Sequence, residues 1–288
     1  MTRLCRKFVH GSTSSPWTGI DLELTYLAVR PEPVEGWTAD CDTDSSEGED
    51  KGEGKSFQLN AREISLIKYS MMSHGNSRFK LVVFDLDGTL TQERSIWEYI
   101  HKRLGKWYGF AENYQKLFLA GKISYDEFCE RDAQVWKGMR IEEVIKIAKT
   151  VPFHPGADEL IRYLKQNELK IAVVSSGLSV LSNWVHERYG FDYSVSNDLL
   201  HEDGILTGRV RIQVYNDQKA TWVKRILEQF GARPEETIAI GDSAGDLEML
   251  QLAGFSIAFN SSCKPLDQIA TLCIQTQNLA DIIPKLPL

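Results

Sequence analysis

Nothing in the chain reads as a membrane span, a secretory leader or a disulfide frame. No run reaches the roughly 18 apolar residues that cross a bilayer. The short "LTYLAV" follows acidic residues and falls short of a leader's apolar core, so no leader is expected. Cysteine is scarce and scattered: Cys5, Cys41, Cys129, Cys263 and Cys273 make five, without a C-x-x-C pair. Reduced thiols in a cytoplasmic protein are expected, not a disulfide frame or a zinc site. Basic residues are too few for a nucleic-acid or anionic-membrane binder: 33 Lys and Arg face 40 Asp and Glu, a net charge of −7. No internal repeat is visible. What remains is a 288-residue chain, 42% hydrophobic, long enough for a sizeable core in one or two domains.

Residues 1–75 differ in composition from the rest. "DCDTDSSEGEDKGEGKS" carries seven acids and one Lys between Asp40 and Glu53, with hardly any apolar side chain. Such a stretch buries too little surface to offset chain entropy, so a disordered extension is expected, or a mis-assigned start with the true one at Met71 or Met72. From Phe79 onward strands and helices alternate, which predicts an α/β class with a parallel sheet. Residues 95–151 interrupt that alternation with helices only. Ser95 and Glu98, then Ser124 and Glu127, stand in capping-box spacing, and "IEEVIKIAK" continues the helical text. A helical cap domain over 95–151 is expected, inserted in a core formed by 76–94 and 152–288. The segment "LLHEDGILTGRVRIQV" predicts a hairpin turning at Asp203-Gly204.

The stretch "FKLVVFDLDGTLT" poses the chemical problem. Leu81 to Phe84 read as a strand buried on both faces, since a one-sided strand would alternate with polar residues. It ends in two acids, Asp85 and Asp87. Two unit charges about 4 Å apart repel by roughly 4 kcal/mol at an effective dielectric of 20, so a cation or a function is required.

Two further apolar runs share the design: "IAVV" ends in Ser175 and "TIAIG" in Asp242. Ligands of open parallel sheets bind outside the carboxyl ends of the strands, so one crevice is expected to receive all three. Asp217 is the expected N-cap of a helix from about Gln218, with Lys219 in its first turn, able to swing toward the same crevice. Asp85, Asp87, Ser175, Lys219, Asp242 and Asp246 together suit a divalent cation and a phosphate, and oxygen-only ligands suit magnesium. Taken singly, each has an ordinary structural reading as a turn, a strand-end cap, a helix cap or a surface charge.

In this order, "DLDGTLT", "VVSSG", Lys219 and "GDSAGD" resemble the four motifs of the haloacid dehalogenase superfamily. The cap position, "DGILTG" and the ending "IAFNSSCKP…DQIATLCI" look like its phosphoserine phosphatase-like branch. The resemblance covers about Phe79 to Leu288. It implies a Rossmann-like core with a small helical cap and a phosphatase working through an aspartyl-phosphate. Asp85 would be the nucleophile and Asp87 the general acid and base. Magnesium would be held by the Asp85 carboxylate, the Asp87 carbonyl, Asp242 and Asp246. Gly88, Thr89, Ser175, Ser176, Gly177 and Lys219 would bind phosphate. The implied partner is a small phosphate ester, phosphoserine or a sugar or polyol phosphate, with no nucleic acid and no membrane. The same groups serve phosphotransfer to a second alcohol, and a non-catalytic phospho-ligand sensor is the reading of another class.

The chain departs from the family at three places. The fourth motif usually reads G-D-x-x-N-D, and Gly245 stands in the Asn place. The usual substrate-binding Glu falls at Arg94, with Glu93 before it. The usual Arg falls at Asp132, with Arg131 beside it. Phe128, Asp132 and Trp136 share a helix face. Asp132 is expected either to meet a cationic or polyhydroxyl group or to form a salt bridge inside the cap. Trp97, Trp107 and Trp136 are expected in the cap core.

Overall fold

The structure, a computed structural model, describes residues 79–288. The expected N-terminal extension, residues 1–75, lies outside the described residues. At the centre is β1 (Leu81–Phe84), all four residues fully buried. Val82 and Phe84 enter one apolar cluster with Ile171, Val173, Ile238 and Ile240. Leu81 and Val83 enter a second with Ala172, Val174 and Ala239 on the opposite face. A strand places successive side chains on opposite faces, so a strand covered on both must be apolar throughout.

β2 (Lys170–Leu178) and β5 (Thr237–Gly241) flank β1 in parallel, with Phe84 opposite both Val173 and Ile240. β3 (Tyr193–Glu202), β4 (Ile205–Arg211), β6 (Phe255–Phe259) and β7 (Leu272–Ile274) complete a seven-stranded sheet in the order β4-β3-β2-β1-β5-β6-β7. All neighbours run parallel except β3 and β4, the expected hairpin. Its turn residues Asp203 and Gly204 both have positive φ (50° and 80°), which a tight hairpin of this hand requires. This is the α/β, Rossmann-like architecture expected. β7 was not foreseen: three half-buried residues at the sheet edge give no periodicity to read.

Four helices fill the stretch between β1 and the core helix α5 (Ala157–Gln166): α1 (Ile96–Arg103), α2 (Glu112–Leu119), α3 (Tyr125–Val135) and α4 (Ile141–Ala148). The capping box of α3 is complete: Ser124 Oγ accepts from Glu127 N and the Glu127 carboxylate accepts from Ser124 N. That of α1 is half made. Ser95 Oγ accepts from Glu98 N at 3.3 Å, but the Glu98 carboxylate pairs with Lys102 at 2.6 Å instead. Trp97 stacks on Trp136 with centroids 5.5 Å apart, and Phe118 stacks on Phe128 at 5.0 Å. Trp97, Trp107 and Trp136 are all buried, as expected.

On the core side follow α6 (Ser179–Tyr189), α7 (Lys219–Phe230), α8 (Leu247–Leu252) and α9 (Lys264–Ile269). One expectation fails locally. The N-cap of α7 is Gln218, not Asp217, and its side chain makes no capping bond. The preceding turn closes through its backbone, Gln218 N to Tyr215 O at 3.2 Å, which leaves Asp217 exposed.

Candidate active site

Because β1, β2 and β5 are neighbours in register, their carboxyl ends deliver side chains to one place. Asp85 follows β1, with its N–H donating to Ile240 O of β5 at 2.9 Å. Lys219, first residue of α7, sends its ammonium between two of the acids. It donates to Asp85 Oδ1 at 2.6 Å and Asp246 Oδ1 at 2.7 Å. Asp246 is fixed through its other oxygen, which accepts from Asp242 N, Ser243 N and Ser243 Oγ at 3.0–3.1 Å. Thr89 Oγ1 lies 3.5 Å from Asp242 Oδ1. Carboxylate oxygens of Asp85, Asp242 and Asp246 all lie within 4.8 Å of one another.

Packing acids this tightly out of water disfavours their charged forms. Burial, then the Asp246 charge, pushes Asp85 up to about 6 against the pull of Lys219. Burial and the Asp85 charge push Asp87 up to about 8. Burial, Asp85 and Asp246 push Asp242 up to about 8, opposed by Arg94, whose guanidinium is 3.7 Å away. Asp87 Oδ1 is sealed from solvent with no hydrogen-bond partner among the described residues. Gly88 makes this approach possible. Its φ is +83°, and a Cβ there would lie 2.5 Å from Asp242 Oδ2.

Asp85, Asp87, Arg94, Ser176, Gly177 and Lys219 line one cavity of about 350 Å³. Ser175 sits buried behind its wall, with its Oγ accepting from Gly177 N at 2.9 Å. Arg94 also donates to Asn260 O at 2.9 Å. A separate groove of about 510 Å³, between α4, α6 and β3, holds none of these acids.

Other expected residues stand elsewhere. Glu93 is half-buried and does not line the cavity. Arg131 lies along the outside of α3, 3.7 Å from Glu127 and over the Tyr114 ring. Asp132 lies within the helical segment, on α3. It is 1% exposed and faces His101 Nε2 at 3.4 Å, while Trp136 Nε1 donates to His101 Nδ1 at 3.1 Å. Asp132 does not line the cavity, although Phe128, one turn earlier on the same face, does.

Several lining residues had no sequence signal of their own. Gln115, Phe118, Leu119 and Tyr125 come from α2 and α3, and Asn216 from the loop before Lys219. The Tyr125 hydroxyl donates to Ser176 O at 2.6 Å. Asn197, fully buried in β3, donates to Ser176 O, Val214 O and the Tyr125 hydroxyl, and its Oδ1 accepts from Gln213 N and Val214 N. It ties the loop after β2 to the loop before α7. The capping box that starts α3 at Tyr125 and the stripe carrying Phe128 were the signals for this side of the cavity.

Acids at strand ends thus gather around one buried lysine on a mostly parallel sheet, an α/β site at the carboxyl ends of its strands. The model of the haloacid dehalogenase-like hydrolases matches residues 82–251, and the chain belongs to that family. It is 35% identical over 218 residues to a phosphoserine phosphatase of Archaeoglobus fulgidus, covering 74% of this chain and 62% of that one. It is 33% identical over 209 residues to a phosphoserine phosphatase of Methanocaldococcus jannaschii, covering 71% and 96%. Among solved structures, a substrate-bound phosphoserine phosphatase complex superposes with a TM-score of 0.65 at 30% identity, over 73% of this chain and 99% of that one. Within the family the chain is phosphoserine phosphatase-like.

Proposed function

We propose that the chain is a magnesium-dependent phosphatase that hydrolyses a small-molecule phosphate monoester through an aspartyl-phosphate on Asp85. The observation that carries this reading is the presence of Asp85, Asp87 and Lys219 on one cavity, with Asp242 and Asp246 directly behind. Asp85 attacks phosphorus, and the bond to the ester oxygen breaks. Asp87, held near 8, carries a proton at neutral pH and gives it to the departing alkoxide. The same carboxylate then takes a proton from the water that attacks the acyl phosphate. Inorganic phosphate leaves and Asp85 is restored.

Three carboxylates within 4.8 Å of one another, with no nitrogen or sulfur donor among them, fit a hard divalent ion. Asp85, Asp242, Asp246 and the Asp87 carbonyl would hold it. When bound, it offsets the repulsion between a carboxylate nucleophile and a phosphate dianion. Lys219 and the Ser175 hydroxyl, whose hydrogen is left available by the bond from Gly177, stabilise charge on the phosphate oxygens. Gly88, Thr89, Ser176 and Gly177 supply small side chains and N–H groups close by. Residues 95–151 act as a cap domain over the core of 76–94 and 152–288. Trp97, Phe118, Tyr125 and Phe128 wall the cavity from that side, and cap opening limits turnover.

Acid quenching of the enzyme with a phosphate ester and magnesium tests the reading. Mass spectrometry is expected to find one phosphoryl group on the peptide carrying Asp85. Asp85→Asn is expected to abolish both that adduct and hydrolysis while the circular dichroism spectrum is kept. Undiminished turnover in that variant removes Asp85 from the nucleophile's role.

A further inference from the structure

The cavity has two chemically distinct ends. Asp85, Asp87 and Lys219 stand at the inner end. Arg94 lines the cavity beside them with its side chain 55% exposed, and its guanidinium is already engaged by Asn260 O, Ser262 Oγ and Asp242. The outer end is walled by the helical segment through Trp97, Phe118, Leu119, Tyr125 and Phe128, with the Gln115 amide beside them. We infer that the alcohol half of the substrate is uncharged and presents an aromatic or aliphatic surface to this wall. It is neither the ammonium and carboxylate of an amino acid nor the hydroxyl array of a sugar. The inference rests on the phosphatase reading of the inner end.

Charge is the first argument. Among the described residues, the acids of the helical segment nearest this wall are engaged elsewhere. Glu98 pairs with Lys102 at 2.6 Å, and Asp126 accepts from the Tyr215 hydroxyl at 2.9 Å. Glu127 closes the cap of α3, and Asp132 faces His101. An ammonium entering the outer end would meet no carboxylate except Asp85 and Asp87, which the phosphate requires. Burying it unpaired is strongly unfavourable.

Hydrogen-bonding capacity is the second. The Tyr125 hydroxyl already donates to Ser176 O and accepts from Asn197. The Gln115 amide already donates to Glu98 at 3.4 Å. A polyol would bring several hydroxyls to a wall whose groups without a partner among the described residues are few, chiefly the buried Trp97 indole N–H and the hydrogen of the Ser95 hydroxyl. An apolar group loses nothing there. Phe118 and Phe128 stack within 18° of parallel, and the Trp97 ring is fixed on Trp136, so the faces are set before ligand arrives. Leu119 is 73% exposed at the cavity's edge, so the apolar surface continues to the mouth.

Benzyl phosphate, phosphoserine and glycerol 3-phosphate are all esters of primary alcohols, so intrinsic reactivity does not separate them. With the magnesium-loaded enzyme, kcat/KM for benzyl phosphate is expected to exceed both others by about a hundredfold or more. Leu119→Asp, at a position where the fold tolerates a charge, is expected to cut that preference about tenfold. Acetyl phosphate, which has almost no outer half, reports on the inner end alone. If it is hydrolysed while phosphoserine or glycerol 3-phosphate matches benzyl phosphate, the inference is overturned and the phosphatase reading stands. If none of the four is hydrolysed, both fall.

Discussion

The Lys219 ammonium lies 2.6 Å from Asp85 Oδ1, and both side chains are buried. Burial alone would lower the lysine's proton affinity, but Asp246 and Asp85 more than offset it and raise the value, so the ammonium stays charged. Removing one partner of a buried pair leaves the other uncompensated, typically at a cost of about 3–5 kcal/mol. Lys219→Met is therefore expected to lower Tm sharply in the metal-free protein and less so with magnesium, which supplies another cation. Phosphatase activity is expected to fall at least about a hundredfold in both cases. Thermal unfolding with and without magnesium, beside steady-state kinetics, checks this.

The acid cluster also sets how stability responds to pH. An acid whose value is raised on folding stabilises the native state at low pH and loses that contribution as pH rises through the folded value. Asp85 moves from 3.8 to about 6, and Asp87 and Asp242 from 3.8 to about 8. Metal-free protein is thus expected to lose stability between about pH 4 and pH 8. Glu236, lowered to about 2, is already ionised in both states across most of that window. His154, lowered by burial, acts in the opposite sense but is one group against three. Magnesium binding expels the protons and flattens the profile. A Tm that climbs from pH 5 to pH 8 in chelator would contradict the arrangement.

Asp132 separates fold from specificity. Its carboxyl is buried against His101 and does not reach the cavity. Asp132→Ala is expected to destabilise by about 1–3 kcal/mol, since His101 loses its acid and a void opens beside Trp136. KM for any phosphate ester is expected to stay within about twofold of the parent. A KM raised more than that for one ester, with Tm unchanged, would return Asp132 to the substrate pocket.

Most of the sheet and the inner end of the site were legible in the chain. A strand covered on both faces must be apolar almost throughout, and "LVVF", "IAVV" and the "IAI" of "TIAIG" are. Such a strand ending in acid or hydroxyl announces a site, which is why Asp85, Ser175 and Asp242 were readable. The outer wall was not. Whether the stripe on α3 faces ligand or core depends on how α1 packs against it, and Asp132 and Phe128 part company on that account. Asn197 and Asn216 lie in segments with no local pattern, and what they tie together is distant in sequence. Three-residue β7 is too short for any period to show.

Gly245 and Asn216 exclude one another's space. A Cβ at position 245 would lie 2.7 Å from the backbone oxygen of Asn216 and 2.9 Å from its Oδ1. Asn216 lines the cavity beside Ser176, whose Oγ donates to Asn216 Oδ1 at 3.4 Å, and Lys219 follows three residues later. Putting the family's usual Asn at 245 is therefore expected to harm this enzyme. The loop from Tyr215 to Gln218 must shift, and the start of α7 with it, at about 1–3 kcal/mol for overpacking. Because Lys219 moves, kcat for acetyl phosphate as well as for bulkier esters is expected to drop about tenfold or more in Gly245→Asn. Trimming the side chain does not cure this, since the nearer obstacle is main chain. The double variant Gly245→Asn with Asn216→Gly is expected to stay impaired. Its return to parental Tm and kcat would mean that the Asn216 side chain alone keeps position 245 empty.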